Sequence, residues 1–379
     1  MAQRTGPINY RGSDDSGETS CDGRQPLSGW FMALFLTASV ILSLANPALL
    51  TAPDEPLLDG SWAAAYQSSF DRRSPLLGTA TTVWGVLEYA LFRQGREGVL
   101  VGSDGWLYSS EEFEFPARAE TAAAALSSNL GAAAAVQKRL ADDGVDLVVA
   151  LLPAKARLYP EHLGRYRLPA GPRSLYGQAL AGLRAAGLSA VDLLEPLERA
   201  KSEQPVFLRT DTHWTPYGAS TAAGAVAATI AGLGRYDWLG AVHFGSDRLD
   251  PSPYRGDLAG FLPLGPFYDP LGPEDDLLAR RVTERSEGPG DDLFAAVELP
   301  VALVGTSYSQ DDRWNFAGSL RKALGNDVLV AAQEGEGPYR PMLDYLQGDA
   351  YRSAKPEVVI WEIPERYLSQ YWETEGTDQ

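Results

Sequence analysis

The sequence is poor in cysteine and histidine: Cys21 stands alone, and the histidines are His162, His213 and His243. One cysteine excludes an intrachain disulfide, and no Cys/His cluster has the spacing of a zinc site. Any chemistry that needs an imidazole must use one of those three positions. Cations are also short. The chain holds 32 Lys and Arg against 50 Asp and Glu, a formal net charge of -18. Nucleic acid is a poor partner for such a chain, because phosphate binding needs cations that displace counterions. A strongly anionic glycan is disfavoured on the same ground, unless a local basic cleft overrides the global charge. What is present is a normal core: 45% of the 379 residues are hydrophobic, and the mean hydropathy of -0.19 is that of a soluble protein.

One segment departs from that average. Residues 27–45 read LSGWFMALFLTASVILSLA, an uncharged run close to the ~20 apolar residues needed to span a bilayer. Arg4, Arg11 and Arg24 precede it, and Asp54, Glu55 and Asp59 follow it. The excess of cations before the run predicts a cytoplasmic segment 1–26, a transmembrane anchor at 27–46 and an extracytoplasmic remainder. A cleaved signal peptide is the alternative; the long polar leader argues against it. The expectation is a single-pass protein of the inner (cell) membrane with its larger part extracytoplasmic or periplasmic.

The rest of the chain falls into segments. Residues 47–94 read as a stalk or linker with some helix. From 95 to 372, strand-like and helix-like stretches alternate: strands are expected near 145–152, 189–193, 299–304, 327–331 and 358–363. Helices are expected near 118–143, 175–186, 216–233 and 314–324. Thr215 is the expected N-cap of the third helix, with Pro216 at its first position. Such alternation predicts an α/β domain with a mostly parallel sheet covered on both faces. Residues 240–298 are rich in Pro, Gly and Asp and read as an irregular insertion of loops with room for a short hairpin; long irregular segments in compact domains are often functional. Residues 373–379 form an acidic tail.

Two segments carry candidate chemistry. Residues 301–309 read VALVGTSYS, a buried strand that ends in Gly305 with Ser307 two residues later. Active sites in parallel sheets sit at the C-terminal ends of strands, and a glycine there permits a tight turn. The backbone N–H groups before the next helix would stabilise an oxyanion. An ordinary Ser/Thr turn leading to a helix cap explains the same residues. Residues 209–220 read RTDTHWTPYGAS. In an extended stretch Asp211 and His213 project to the same side. A carboxylate there fixes the imidazole tautomer and stabilises the imidazolium, and Trp214 would shield the pair from water. A two-ligand metal site is an alternative, without an evident third ligand. His162 and His243 read as surface or packing residues.

The order Asp, His and a later serine, with DTHWTPYGA and VGTSYS about 90 residues apart, resembles the AlgX/AlgJ-type SGNH-like O-acetyltransferases of bacterial exopolysaccharide modification. SDGWLYS at 103–109, PAKARLYPEHL at 153–163 and WEIPERYL at 361–368 resemble further motifs of that family. The matches run from about residue 98 to 368, and the absence of room for a C-terminal carbohydrate-binding module points to the membrane-anchored AlgJ-like branch. The resemblance implies an SGNH-like three-layer fold and a triad of Ser307 (nucleophile), His213 (base, then acid) and Asp211 (orienting carboxylate). It further implies an acetyl-serine intermediate, a polysaccharide acceptor, a polytopic membrane acyltransferase as acetyl donor, and no cofactor or metal. Gly305, Tyr308, Arg313, Asn315, Trp214 and Arg366 are the accompanying substrate or oxyanion candidates: Arg313 or Asn315 to polarise the ester carbonyl, Tyr308 and Trp314 to line the sugar path. Lys155 and Glu362 lie in the same motifs. The acidic balance sets a neutral, cellulose-like glucan beside the polyanion alginate as acceptor. Two rivals remain: a polysaccharide acetylesterase, and a catalytically silent glycan-binding assembly subunit.

Overall fold

In a computed structural model, residues 53–56, 59–73, 75–116, 118–286 and 299–372 are described, with positions 37 and 41. The segments 1–26 and 373–379, almost all of the expected anchor at 27–46 and the end of the insertion lie outside them. Among the described residues no helix is long and apolar enough to cross a membrane. The chain divides into two compact units, Met1–Thr81 and Thr82–Gln379. In the first, Asp59 Oδ1 caps the helix Ser61–Arg73 by accepting from the Ser61 N–H at 3.0 Å.

The second unit opens with a short antiparallel pair, β1 (Val99–Val101) and β2 (Leu107–Ser109). Its centre is a five-stranded parallel sheet. The strands are β3 (Asp146–Leu152), β4 (Ser189–Asp192), β9 (Val301–Val304), β10 (Val328–Val330) and β11 (Val358–Pro364), in the spatial order β10-β9-β11-β3-β4. Strand β11 joins the two halves: Trp361 lies opposite Val149 of β3 and Val304 of β9. Its residues are buried along its whole length, as expected of a strand covered on both faces.

The period of two sorts the strand residues into two layers. Val148, Ala150, Leu303 and Ile360 face helices Leu194–Lys201, Pro216–Gly232 and Phe316–Leu324. Leu147, Val149, Val304 and Trp361 face helices Ala119–Asp142, Ala170–Ala185 and Tyr339–Gln347. The result is an α/β/α arrangement in which β3, β9 and β11 all end on one edge. Thr215 caps Pro216–Gly232 as expected, its Oγ1 accepting from the Gly218 N–H at 3.1 Å.

The insertion is more ordered than its composition suggests. Strand β5 (Phe244–Arg248) pairs antiparallel with β8 (Arg281–Arg285), and β6 (Ser252–Tyr254) with β7 (Asp276–Leu278). The two ladders nest into one long ribbon whose middle, 255–275, folds into short helical turns. Pro, Gly and Asp mask the strand pattern because both ribbon faces are largely solvated, so no apolar alternation is required.

Candidate active site

Strand β9 ends at Val304, and two residues turn the chain into the short helix Ser307–Gln310. Thr306 is its N-cap, and Ser307 is its first residue. The turn is braced by Glu362, which follows Trp361 on β11 and is fully buried. Its carboxylate accepts from the Thr306 N–H at 2.8 Å, the Thr306 hydroxyl at 3.0 Å and the Ser309 hydroxyl at 3.0 Å. Burial pushes the Glu362 carboxyl above its ordinary range, against the pull of these donors. A Cβ on Gly305 would stand 2.5 Å from Glu362 Oε2. Glycine is needed here because the brace runs through the space a side chain would fill.

The segment from Val206 to Thr215 folds back on itself: the Leu208 N–H donates to His213 O at 3.1 Å, and the Thr215 N–H to Val206 O at 2.9 Å. Asp211 lies at its tip, in a bend rather than an extended strand. The pairing expected from an extended backbone therefore arises differently. The Asp211 carboxylate curls onto the His213 main chain, accepting its N–H at 2.8 Å, and the same Oδ1 lies 2.7 Å from ring Nδ1. An ionised carboxylate only accepts, so Nδ1 carries the proton and Nε2 is left to accept. Nε2 lies 2.8 Å from Ser307 Oγ. The structure thus brings Asp211, His213 and Ser307 into one line. Asp211 is 0% exposed, His213 8% and Ser307 9%.

The insertion completes the surroundings of Asp211. Tyr254 donates its hydroxyl to Asp211 Oδ2 at 2.7 Å, and the Asp257 N–H donates to the same oxygen at 3.0 Å. A Cβ on Gly256 would fall 2.3 Å from the Thr210 carbonyl carbon, so only glycine lets the two backbones approach this closely. Burial alone would raise the Asp211 carboxyl; the bonds and charge from His213, with the Asp257 N–H, outweigh it and hold it well below the usual carboxylate range. Burial, and then the Asp211 charge, push the Asp257 carboxyl up. Asp276 of β7 fastens the start of the bend, accepting the Thr210 N–H at 2.8 Å and its hydroxyl at 2.6 Å.

Lys155 anchors the bend from beneath. It is fully buried, and its Nζ donates to the carbonyls of Leu107 at 2.6 Å, Arg209 at 2.9 Å and Asp211 at 2.9 Å. Three neutral acceptors do not repay desolvation in full, and its pKa falls to about 8.

The other candidates are placed as follows. Tyr308 is buried in the core, with its hydroxyl donating to Thr212 O at 2.8 Å and its ring 4.7 Å from the His213 ring. It supports the imidazole and does not line a sugar path. Trp214 is fully buried against Tyr308 and Phe316; the indole stacked on His213 is that of Trp314, at 5.1 Å. Shielding of the pair falls to Trp314. Asn315 donates to Thr283 Oγ1 at 2.9 Å and ties the ribbon to helix Phe316–Leu324. Arg313 donates to the Tyr254 hydroxyl at 2.7 Å and is paired with Asp311. Asn315 is thus spent on the ribbon, whereas Arg313 reaches the triad's surroundings through Tyr254 and the Trp314 ring. Arg366 lies over the Tyr308 ring, 5.7 Å from its centroid, with Glu111 beside it. His162 stacks on Trp106 at 4.8 Å, and His243 is exposed.

Tyr254 and Asp257 were not singled out by sequence reasoning. The available signal was Gly256 between them, in a segment too long to be a plain connection. Asp257 supplies the third ligand that a metal site lacked: Asp211, His213 and Asp257 offer atoms within 4.8 Å of one another. The donor set argues against a cation. Each Asp211 oxygen already accepts two donors, one of them a backbone N–H, and a cation on either oxygen would compete with such a pair. The arrangement is that of a carboxylate–imidazole–hydroxyl relay.

Comparison with known proteins gives this relay a context. The family model described as the SGNH hydrolase-like domain of acetyltransferase AlgX matches residues 99–365. The probable alginate O-acetylase AlgJ of Azotobacter vinelandii is 44% identical over 360 residues, 93% of this chain and 90% of that one. Its namesake in Pseudomonas aeruginosa is 43% identical over 359 residues, covering 91% and 90%. The solved O-acetyltransferase domain of Pseudomonas putida AlgJ is 43% identical, with a TM-score of 0.67 over 75% of this chain and 96% of that domain. This chain therefore belongs to the SGNH hydrolase-like acetyltransferase family of AlgX and AlgJ.

Proposed function

We propose that Ser307, His213 and Asp211 carry acetyl groups onto an exported polysaccharide through an acetyl-serine intermediate. The observation that supports this most is the position of His213, with Nε2 2.8 Å from Ser307 Oγ and Nδ1 2.7 Å from Asp211. In the first half-reaction His213 Nε2 takes the Ser307 hydroxyl proton as Oγ attacks the donor carbonyl. The tetrahedral oxyanion is met by the Ser307 N–H at the first position of its helix, an amide without an acceptor among the described residues. Collapse expels the donor's leaving group, which takes the proton from His213, and leaves acetyl-Ser307. In the second half a sugar hydroxyl gives its proton to His213 and attacks the ester, and collapse returns the proton to Ser307 Oγ. Asp211 stays ionised throughout and stabilises the imidazolium.

The acceptor that the relatives' names support is alginate. The donor in this reading is a membrane acyltransferase that exports the acetyl group, and the protein itself is held to the outer face of the inner membrane by residues 27–46. Incubation with an acetyl ester and an unacetylated mannuronate oligomer tests the chemistry. Mass spectrometry should find an acetyl group on Ser307 and ester-linked acetate on the oligomer, and neither in Ser307→Ala. Release of free acetate with none on the oligomer would favour the esterase instead. Transfer at the wild-type rate by Ser307→Ala would end the mechanism.

A further inference from the structure

Strands β5 and β8 set two arginines side by side: Arg248 lies directly opposite Arg281. Like charges in that position destabilise a ladder, and in a chain with a net charge of -18 a compensating carboxylate would be easy to supply. Neighbouring arginines have one. Arg255 is bound by Asp269 and Asp275, and Arg285 lies 3.4 Å from Asp327. Among the described residues neither the Arg248 nor the Arg281 guanidinium has a hydrogen-bond or ion-pair partner. Both line a cavity of about 450 Å3, within the range of ligand pockets.

The remaining charges of that cavity leave the arginines unopposed. Arg209 also lines it, and its guanidinium is spent on a neutral acceptor, the Glu274 carbonyl, at 2.7 Å. Three carboxylates are present: Glu274, Asp275 and Asp276. Asp275 is taken by Arg255, and Asp276 by the Arg209 and Thr210 N–H groups and the Thr210 hydroxyl. Glu274 is the carboxylate of the three without a partner among the described residues, and it shares the cavity with the free guanidinium groups of Arg248 and Arg281. Tyr217 and Gln204 also line it and add an aromatic ring and an amide, the mixture of apolar and placed polar groups that ligand pockets use.

The cavity floor includes Phe207 to Arg209 and Thr215 to Tyr217, the two limbs of the bend whose tip carries Asp211 and His213. We propose that this cavity is a subsite for an anionic sugar of the acceptor polymer, with Arg248 and Arg281 gripping its carboxylate while the triad acts on another sugar of the same chain. The inference rests on the acceptor reading given above and adds a site remote from the reacting hydroxyl. Planar guanidinium forks match a carboxylate bidentately. Binding energy gathered away from the reacting atoms holds the acceptor in register.

The test uses the full chain and its Arg248→Gln/Arg281→Gln variant, with an unacetylated mannuronate hexamer as probe and cellohexaose as neutral control. Calorimetry should show the hexamer bound by the wild type, bound at least about tenfold more weakly by the variant, and bound more weakly as salt rises. Cellohexaose should bind poorly to both. Hydrolysis of p-nitrophenyl acetate, which needs the triad and no polymer, should be unchanged in the variant, and this also reports that it has folded. The Arg248→Lys/Arg281→Lys variant keeps the charge and loses the fork, and should bind at an intermediate level. Equal affinity of wild type and the glutamine variant for the mannuronate hexamer would overturn the subsite. So would equal affinity of the wild type for both hexamers. Neither result touches the triad, whose own failure would appear as p-nitrophenyl acetate turnover surviving in Ser307→Ala.

Discussion

Asp211 accepts four hydrogen bonds: two from His213, one from Tyr254 and one from the Asp257 N–H. Its folded pKa is depressed, so the stability it contributes is present above the unfolded value of 3.8 and is lost as pH falls through the folded one. The carboxylate is thus charged at every pH at which His213 can act as a base. Asp211→Asn should keep the bend and turn the ring to the wrong tautomer, lowering kcat by roughly 10²–10⁴ while circular dichroism stays native. Tyr254→Phe removes the hydroxyl that donates to Asp211, a bond to a charged acceptor of about 1.5–3 kcal/mol, and that accepts from Arg313. A drop of about tenfold or more in kcat with little change in KM is expected; a kcat within twofold of wild type would show that Tyr254 does not position Asp211. Glu112 tests linkage in the other direction. It accepts the Ala156 N–H at 2.7 Å in a fully buried place, and burial raises its pKa to about 7. A raised pKa favours the folded state at low pH, and that contribution is lost as pH climbs from the unfolded value of 4.5 to about 7. Glu112→Gln should therefore flatten this part of the stability curve, by at most about 3 kcal/mol, in urea titrations at several pH values.

At the scale of elements, two close approaches decide whether the site assembles. Gly305 leaves room for the Glu362 brace, and Gly256 lets the ribbon lie against Thr210 and Asp211. Gly256→Ala forces backbone against backbone, which no rotamer relieves, whereas Gly305→Ala meets side-chain oxygens. The first should cost more activity than stability, because the ribbon can lift while the sheet stays folded. We expect a loss of at least about tenfold in kcat with a melting point lowered by only a few degrees. Wild-type kcat in Gly256→Ala would show that the ribbon does not hold Asp211. The same contrast explains what the sequence makes legible. The central sheet strands are covered on both faces and stand out in the residues as short apolar runs, while the helices 119–142 and 216–232 bury one face each and keep an apolar period. Ser307, His213 and Asp211 are also readable, because the strand-end glycine and the Asp-x-His spacing are local patterns. Tyr254 and Asp257 reach Asp211 across more than 40 positions through a solvated ribbon, and nothing in their immediate neighbours encodes that distance. Trp214 and Trp314 show the same limit: both are fully buried, yet only the register of helix Phe316–Leu324 against the bend decides which one covers His213.

For the whole molecule, the proposed membrane acyltransferase donor requires that this acidic domain be kept beside a membrane. Acetyl transfer to a polymer is bimolecular, and tethering one catalyst to the membrane raises its effective concentration near the other without any new contact. Residues 27–45 supply an apolar run of about the length of a bilayer core. A tether of this kind works only if it is retained after export. In the proposed anchoring, Arg4, Arg11 and Arg24 on one side and Asp54, Glu55 and Asp59 on the other would set its direction, cations before the run favouring a cytoplasmic leader. The full chain should therefore sediment with membranes, resist extraction by alkaline carbonate and dissolve in detergent. Protease added to spheroplasts should destroy the domain while an epitope fused before Met1 survives. N-terminal sequencing of the mature protein should return the start of the chain. A mature form beginning after about residue 47 would mean that the apolar run is a cleaved signal, and proximity to the donor would then have to come from a protein contact.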